Sequence, residues 1–232
     1  MIAAPGTGEP AARGPDTAPD APMPDQTGPW SAAVFAGTVT VAIPLSFPPD
    51  GGPTGLDQRV GEPISAALDP RPWVAEVLAL ASNTWVVIAL MLAGAAWFGW
   101  QQRWWRAATM VAVPEVAAGL NTWALKPLWG RPLHDYLAYP SGHTVHLVAV
   151  ATTFLVLIES TRARLVIAGC AVVAWISAAI GMIALDYHHA TDIIGGAGAA
   201  IALSVLLCSA IAQVQRRTAR PESPLSGTAR AD

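Results

Sequence analysis

The 232-residue sequence is 53% hydrophobic, only 12% of its residues are charged, and its mean hydropathy is +0.42. A soluble domain usually carries about twice that share of charge, so the composition favours a membrane protein. The net charge of −3 argues against a nucleic-acid partner, which requires a basic surface.

The chain starts with a segment rich in proline, alanine, glycine and aspartate, residues 1–29, which shows no helical or strand period. Such a segment buries too little apolar surface to fold, so we expect a disordered tail. It also lacks the basic start and apolar core of a secretory signal. A second disordered tail is predicted over residues 216–232, which leaves residues 30–215 as the membrane domain.

Six apolar stretches lie between these tails, most of them close to the ~20 residues that a helix needs to cross ~30 Å of hydrocarbon. They cover residues 30–48, 83–101, 105–124, 143–159, 163–185 and 190–213. The sequence therefore predicts an all-α, polytopic membrane protein, a bundle of six transmembrane helices. The connection 49–80 is rich in proline, glycine and charge and is predicted to be a loop outside the lipid. Its end, residues 72–80, is predicted to form a short interfacial helix.

Arginine pairs indicate the orientation of the bundle, because the cytoplasmic loops of membrane proteins carry the excess of basic residues. The pairs follow the second, fourth and sixth stretches and are Arg103 with Arg106, Arg162 with Arg164, and Arg216 with Arg217. This pattern predicts a protein of the inner or plasma membrane with both termini in the cytoplasm. The connections 49–80, 125–142 and 186–190 are then outside the cell.

All five histidines fall on this predicted outer side or just below it. They are His134, His143, His146, His188 and His189. Titratable groups at the mouth of a membrane bundle are typical of a functional site, so this end of the bundle is where we expect the chemistry.

The connection before the fourth stretch contains a candidate phosphate-binding site. Ser141, Gly142 and His143 are predicted to lie at a helix N-terminus, where free backbone N–H groups attract an anion. Gly142 lets the anion approach the backbone closely. Lys126 and Arg131 add positive charge in the same connection, and an arginine can bind two phosphate oxygens at once. This site would hold phosphate without a metal.

His188 and Asp192 are four residues apart, just before the sixth stretch. On a helix they share a face, so Asp192 could hold one imidazole nitrogen and leave the other free for nucleophilic attack. The same spacing also suits a helix cap with a surface ion pair.

In order and spacing these residues resemble the type-2 phosphatidic acid phosphatase superfamily, which shares its core with the vanadium haloperoxidases. The family motifs are K-x6-R-P, P-S-G-H and S-R-x5-H-x3-D. The segment 140–143 matches the second motif in full, His188 and Asp192 match the end of the third, and Lys126 matches the start of the first. The resemblance covers residues 100–215, with a motif core over 120–200.

The sequence departs from the family pattern at two places. The arginine of the first motif falls on Leu133, and Arg131 stands two positions earlier. The Ser-Arg pair of the third motif falls on Gly181 and Met182. A phosphate-binding arginine is therefore missing from the expected site, so the sequence resembles a divergent member of the superfamily.

The resemblance implies a lipid phosphatase that needs no metal or other cofactor. His188 would attack phosphorus and become phosphohistidine, Asp192 would orient it, and His143 would protonate the leaving oxygen and then activate water. The expected partners are a lipid phosphate of polyprenyl or phosphatidate type and the surrounding membrane lipids. The residues expected to hold the phosphoryl oxygens are Lys126, Arg131, Ser141 and Gly142.

Two other interpretations stay open at this point. A non-catalytic relative could bind a lipid phosphate on the same scaffold, as the methionine at position 182 suggests, although a binder does not need all three candidate catalytic residues. A transporter or channel would show paired broken helices, and only Pro114 and Glu115 hint at that. The sequence leaves the oligomeric state and the lipid open.

Overall fold

The computed structural model describes residues 30–218, and these are almost entirely helical. The predicted tail 1–29 and residues 219–232 of the second tail lie outside this part of the chain. The helices are α1 Trp30–Ala42, α2 Gly55–Leu68, α3 Pro72–Ala79, α4 Thr84–Trp100, α5 Trp104–Leu120, α6 Lys126–Trp129, α7 Gly142–Leu157, α8 Thr161–Ala184 and α9 Ala190–Thr218. A π-helical turn, Asn121–Leu125, joins α5 to α6, and two short antiparallel strands, β1 Pro132–Leu133 and β2 Tyr136–Leu137, form a hairpin.

Each of the six predicted apolar stretches forms a helix, which confirms the all-α fold. In the described residues, three helical segments are long and apolar enough to cross a membrane by length and composition: Pro72–Trp100, Thr161–Ala184 and Ala190–Thr218. Trp30–Ser46 and Gly142–Leu157 are apolar but shorter. α9 continues to Thr218, three residues into the predicted C-terminal tail.

Large apolar side chains cover much of the outer surface of the bundle, as expected for a protein embedded in a membrane. Exposed tryptophans lie near both ends of the helices, where the aromatic residues of membrane proteins meet the lipid headgroups. They are Trp73, Trp85 and Trp123 towards one end and Trp97, Trp100, Trp104 and Trp105 towards the other.

The connection 49–80 is more ordered than its composition predicts, and the loop prediction is wrong for residues 55–68, which form α2. A capping box begins this helix: the Thr54 hydroxyl accepts from the Asp57 amide at 3.2 Å, and the Asp57 carboxylate accepts from the Thr54 amide at 2.8 Å. Two backbone N–H groups that have no partner within the helix thus gain hydrogen bonds, which stabilises the first turn. The short helix predicted over 72–80 is present as α3, which starts with Pro72.

Close approach of α9 to its neighbours sets the position of the candidate site. A Cβ atom on Gly196 would lie 2.8 Å from the carbonyl oxygen of Ser141, so any side chain there would push α9 away from the start of α7. At this contact the Ser141 amide donates to the carbonyl of Asp192 at 3.0 Å. The two motifs that carry the candidate catalytic residues are thus held together through backbone atoms.

Candidate active site

The start of α7 has the capped geometry predicted for an anion site. The Ser141 hydroxyl accepts from the amide of Thr144 at 3.4 Å, and the Ser141 side chain is fully buried. Gly142 and His143, the first two residues of α7, line a cavity. The side chain of Asn121, in the π-helical turn, donates to the carbonyl of Pro140 at 3.2 Å and so fixes the preceding turn. Nothing in the sequence motifs singles out Asn121.

The cavity at this end of the bundle has a volume of about 480 Å³. Four of the seven predicted site residues line it: Lys126, Gly142, His143 and His188. The other three, Arg131, Ser141 and Asp192, lie behind its wall. The remaining lining residues are His146, two tyrosines, three hydroxyl residues and an alanine: Tyr136, Tyr187, Ser82, Thr84, Thr122 and Ala118.

His143 and His188 face one another in the cavity. Their ring centroids are 6.1 Å apart, with an angle of 69° between the planes. A phosphoryl group near both rings could be attacked by one imidazole while the other donates a proton to the leaving oxygen. The arrangement therefore fits a nucleophile and an acid–base group acting on one substrate.

His188 lies in the loop before α9 and not on the helix, so it shares no helical face with Asp192 as expected from the spacing. Nδ1 of His188 is 3.8 Å from Oδ2 of Asp192 and has no hydrogen-bond partner. Oδ2 accepts instead from the backbone N–H of His189 at 2.9 Å. Nδ1 still points to the carboxylate, and catalytic hydrogen bonds often shorten only when the substrate binds.

The surroundings of His188 favour a neutral imidazole. Burial lowers the pKa of His188, the carboxylate of Asp192 raises it, and the charges of Lys126 and His189 lower it again, with a net decrease. A neutral ring has a free lone pair at Nε2, which nucleophilic attack requires.

Lys126 is the single lysine of the cavity wall, and no arginine of residues 30–218 lines this cavity. Its ammonium group donates to the carbonyl of Leu137 and lies 6.0 Å from the ring centroid of Tyr136. Burial lowers the pKa of Lys126, and Asp192 partly offsets this effect. The β-hairpin therefore places the ammonium group beside the two histidines.

Arg131 does not reach the cavity, although the sequence placed it among the phosphate ligands. Its guanidinium is fully buried, and all five of its N–H donors have acceptors. Nε donates to the carbonyl of Gly51, Nη1 to Thr191 and Asp192, and Nη2 to the carbonyl of Gly52 and to Asp57. No donor remains for a phosphate oxygen. Arg131 binds the side of Asp192 that faces away from His188.

The two departures from the third family motif lie where α8 passes α3. A Cβ atom on Gly181 would lie 2.5 Å from the carbonyl oxygen of Ala75 and from the amide nitrogen of Ala79. Glycine at this position therefore permits the close packing of α3. Met182 is buried beside His143 in a small adjoining cavity of about 160 Å³.

Further contacts hold the loop that carries His188. The Tyr136 hydroxyl on the hairpin donates to the carbonyl of Tyr187, and Nε2 of His134 lies 3.1 Å from Oδ2 of Asp186. Lower in the cavity, Nε2 of His146 lies 3.3 Å from a carboxylate oxygen of Glu115. In residues 30–218 no group of three or more histidine, cysteine, aspartate or glutamate side chains could hold a metal ion.

The described residues form an all-helical bundle with apolar outer surfaces and a pair of facing histidines at one end. Residues 121–216 match the family model described as PAP2 superfamily, which is the family of the three motifs. The structure is similar to that of a transmembrane PAP2 type phosphatidylglycerolphosphate phosphatase from Bacillus subtilis. The likeness has a TM-score of 0.57 and 21% identity, and covers 84% of this chain and 98% of that one. No curated protein compared with the chain matches it.

Proposed function

We propose that the protein is a lipid phosphatase that hydrolyses a lipid phosphomonoester or diphosphate through a phosphohistidine on His188. The observation that carries this proposal is the facing pair of His143 and His188 in a cavity also lined by Lys126 and the start of α7. The match to the PAP2 superfamily model supports phosphatase chemistry, and the structurally similar Bacillus subtilis protein is a phosphatidylglycerolphosphate phosphatase.

In the first step, Nε2 of His188 attacks phosphorus and the bond from phosphorus to the lipid oxygen breaks. His143, protonated before this step, donates its proton to the leaving oxygen. In the second step, neutral His143 takes a proton from water as the water oxygen attacks phosphorus, and the N–P bond breaks with its electron pair returning to His188. The products are phosphate and the dephosphorylated lipid.

Two groups hold the phosphoryl oxygens in this scheme. The Lys126 ammonium supplies positive charge, and the backbone N–H groups at the start of α7 around Gly142 supply hydrogen bonds. Ser141 acts through its cap, which fixes the helix start. Asp192 faces Nδ1 of His188 and stabilises the positive charge that the ring gains as it binds phosphorus. The proposed chemistry uses side chains and backbone groups alone.

We further propose that the cavity opens at the outer face of the inner or plasma membrane, with both termini in the cytoplasm. The arginine pairs at the opposite end of the bundle support this orientation. A substrate of polyprenyl or phosphatidate type suits a site that lies beside the lipid-facing surface of α4 and the π-helical turn, where Trp85 and Trp123 are exposed.

A non-catalytic lipid-phosphate binder is the second candidate. One observation favours it: no guanidinium of the described chain reaches the cavity, because Arg131 is engaged behind Asp192 and a methionine occupies position 182. The intact pair of facing histidines favours the enzyme, since binding alone does not need a nucleophile and an acid–base group.

Phosphate release from a panel of monophosphate and diphosphate lipids, in detergent and with EDTA present, tests the proposal. We expect release by the wild type to persist in EDTA and to fall by about a thousandfold or more in His188→Ala. His189→Ala is the matched control, because its side chain lies outside the cavity, and it should retain activity. No release from any lipid by folded wild type would favour the binder.

A further inference from the structure

A cluster of three charged side chains is buried behind the cavity. The carboxylates of Asp57 and Asp192 lie on either side of the guanidinium of Arg131, at 3.0 and 2.8 Å, and all three side chains are 0–1% exposed. Buried charges are stable only when paired and hydrogen-bonded. With two carboxylates and one guanidinium, the cluster has a net charge of −1.

Asp57 connects α2 to the first turn of α9. Its Oδ1 accepts from the backbone N–H of Thr191 at 2.8 Å, and its Oδ2 accepts from the Thr191 hydroxyl at 3.0 Å. Burial raises the pKa of Asp57, but the hydrogen bonds from Thr191, Thr54 and Arg131 together lower it by more. The net pKa is below the usual value, so the carboxylate is charged. Asp57 therefore fixes the residue next to Asp192 and also supplies a full negative charge.

The two oxygens of Asp192 have separate partners. Oδ1 accepts from Arg131, whereas Oδ2 accepts from the His189 amide and faces Nδ1 of His188. An arginine in direct contact weakens the field of Asp192 at the imidazole, because the opposite charges partly cancel. Asp57, on the far side of the guanidinium, offsets that cancellation.

We propose that Asp57 and Arg131 are positioning residues for the nucleophile. Arg131 holds Asp192 in place, and Asp57 balances the arginine so that Asp192 continues to favour positive charge on the imidazole of His188. This inference rests on the proposed function, in which His188 becomes a phosphohistidine that carries such charge.

Other groups also face His188 and stay unchanged in the variants below. They are Asp192 on α9, Lys126 on α6, His143 on α7, Tyr136 on the hairpin and His189 in the same loop. A change in the pKa of His188 in these variants therefore reports on Asp57 and Arg131.

The test is an NMR titration of histidine-labelled protein in detergent micelles, with the His188 signal assigned by its loss in His188→Gln. We expect Asp57→Asn to lower the pKa of His188 by on the order of half a unit. Asp69→Asn, which removes an exposed carboxylate at the end of the same helix, should leave it unchanged. A folded Asp57→Asn variant with the wild-type pKa would overturn the inference. The titration needs no turnover, so an inactive wild type would refute the proposed function without deciding this point.

If Asp57→Asn alone fails to fold, a second variant removes the two opposite charges together and so keeps the net charge of the buried cluster at −1. In Asp57→Asn/Arg131→Gln we expect the pKa of His188 to lie at or above the wild-type value. With an active wild type, kcat should fall about tenfold or more while KM stays within about twofold, because Asp192 loses its anchor. A raised KM with unchanged kcat would instead make Arg131 a substrate-binding residue and overturn the inference.

Discussion

At the residue scale, the reactivity of His188 depends on its protonation. Burial is the largest influence on its pKa and lowers it, Asp192 opposes this, and the net result is a pKa below the usual value of about 6.5. A nucleophilic imidazole must be neutral, so in the proposed mechanism a lowered pKa of His188 extends activity further into the acid range.

We therefore expect kcat/KM for phosphate release to decline on the acid side with a midpoint below about pH 6.5. The measurement is a pH profile of initial rates, corrected for the ionisation of the substrate phosphate as read from its own 31P titration. A corrected acid midpoint clearly above pH 6.5 would mean that the ring is not held neutral by its surroundings.

Short local patterns predicted most residues of the cavity wall, but not the buried position of Arg131, the position of His188 outside α9 or the contact of Asn121. The segment 140–143 is a short local motif that carries its own geometry. The spacing of His188 and Asp192 predicts a shared helical face, but His188 lies before the start of α9. The partner of Arg131 is Asp57, 74 positions away. The charge of Arg131 and its place in the connection before α7 predicted a phosphate-binding role. The structure shows that all of its N–H donors bind protein acceptors instead.

At the element scale, α9 is the helix on which the site is assembled, and small residues on its first turns make this possible. A Cβ atom on Gly195 would overlap the ring of Tyr139, which is itself buried and donates from its hydroxyl to the carbonyl of Thr40. Tyr139 cannot move away from Gly195 without losing this hydrogen bond and shifting the turn that leads into α7.

We expect Gly195→Ala to lower the free energy of unfolding by about 1–3 kcal/mol, because the added methyl group overpacks the contact. Gly169→Ala on α8 is the matched control: its Cβ meets nothing within 4 Å, and alanine favours a helix, so stability should be unchanged or slightly higher. Equilibrium unfolding in mixed micelles measures both variants. Equal effects at the two positions would refute the packing argument.

The helices themselves were predictable to different degrees. The six long apolar stretches were recognised because their composition and length suffice. α2 was missed because its proline- and glycine-rich surroundings suggested a loop, although the Thr54-x-x-Asp57 capping signal was present in the sequence. That signal marks the start of a helix but gives no hint that Asp57 also reaches α9 across the bundle.

At the scale of the whole molecule, the polar cavity and the arginine pairs lie at opposite ends of an apolar bundle. The positive-inside rule therefore predicts that the cavity faces the outside of the cell, as proposed above. This orientation decides which leaflet supplies the substrate, and it follows from the sequence more than from the fold.

The orientation can be measured with single cysteines in a background lacking Cys170 and Cys208. We expect a membrane-impermeant thiol reagent to label Asp69→Cys, after α2, in intact cells. Arg162→Cys, at the start of α8, should be labelled only after the membrane is permeabilised. The reverse pattern would place the cavity in the cytoplasm.

Direct trapping of the intermediate tests most sharply whether His188 carries the phosphoryl group. An aryl phosphate with a 32P-labelled phosphoryl group, whose leaving oxygen has a low pKa and departs without a proton from residue 143, is mixed with His143→Gln. Water activation in the second step is impaired in this variant, and the reaction is quenched in base. We expect a base-stable, acid-labile label on the peptide that contains His188, and no label in the His143→Gln/His188→Asn double variant. A label on another residue, or rapid phosphate release by His188→Asn, would contradict the account.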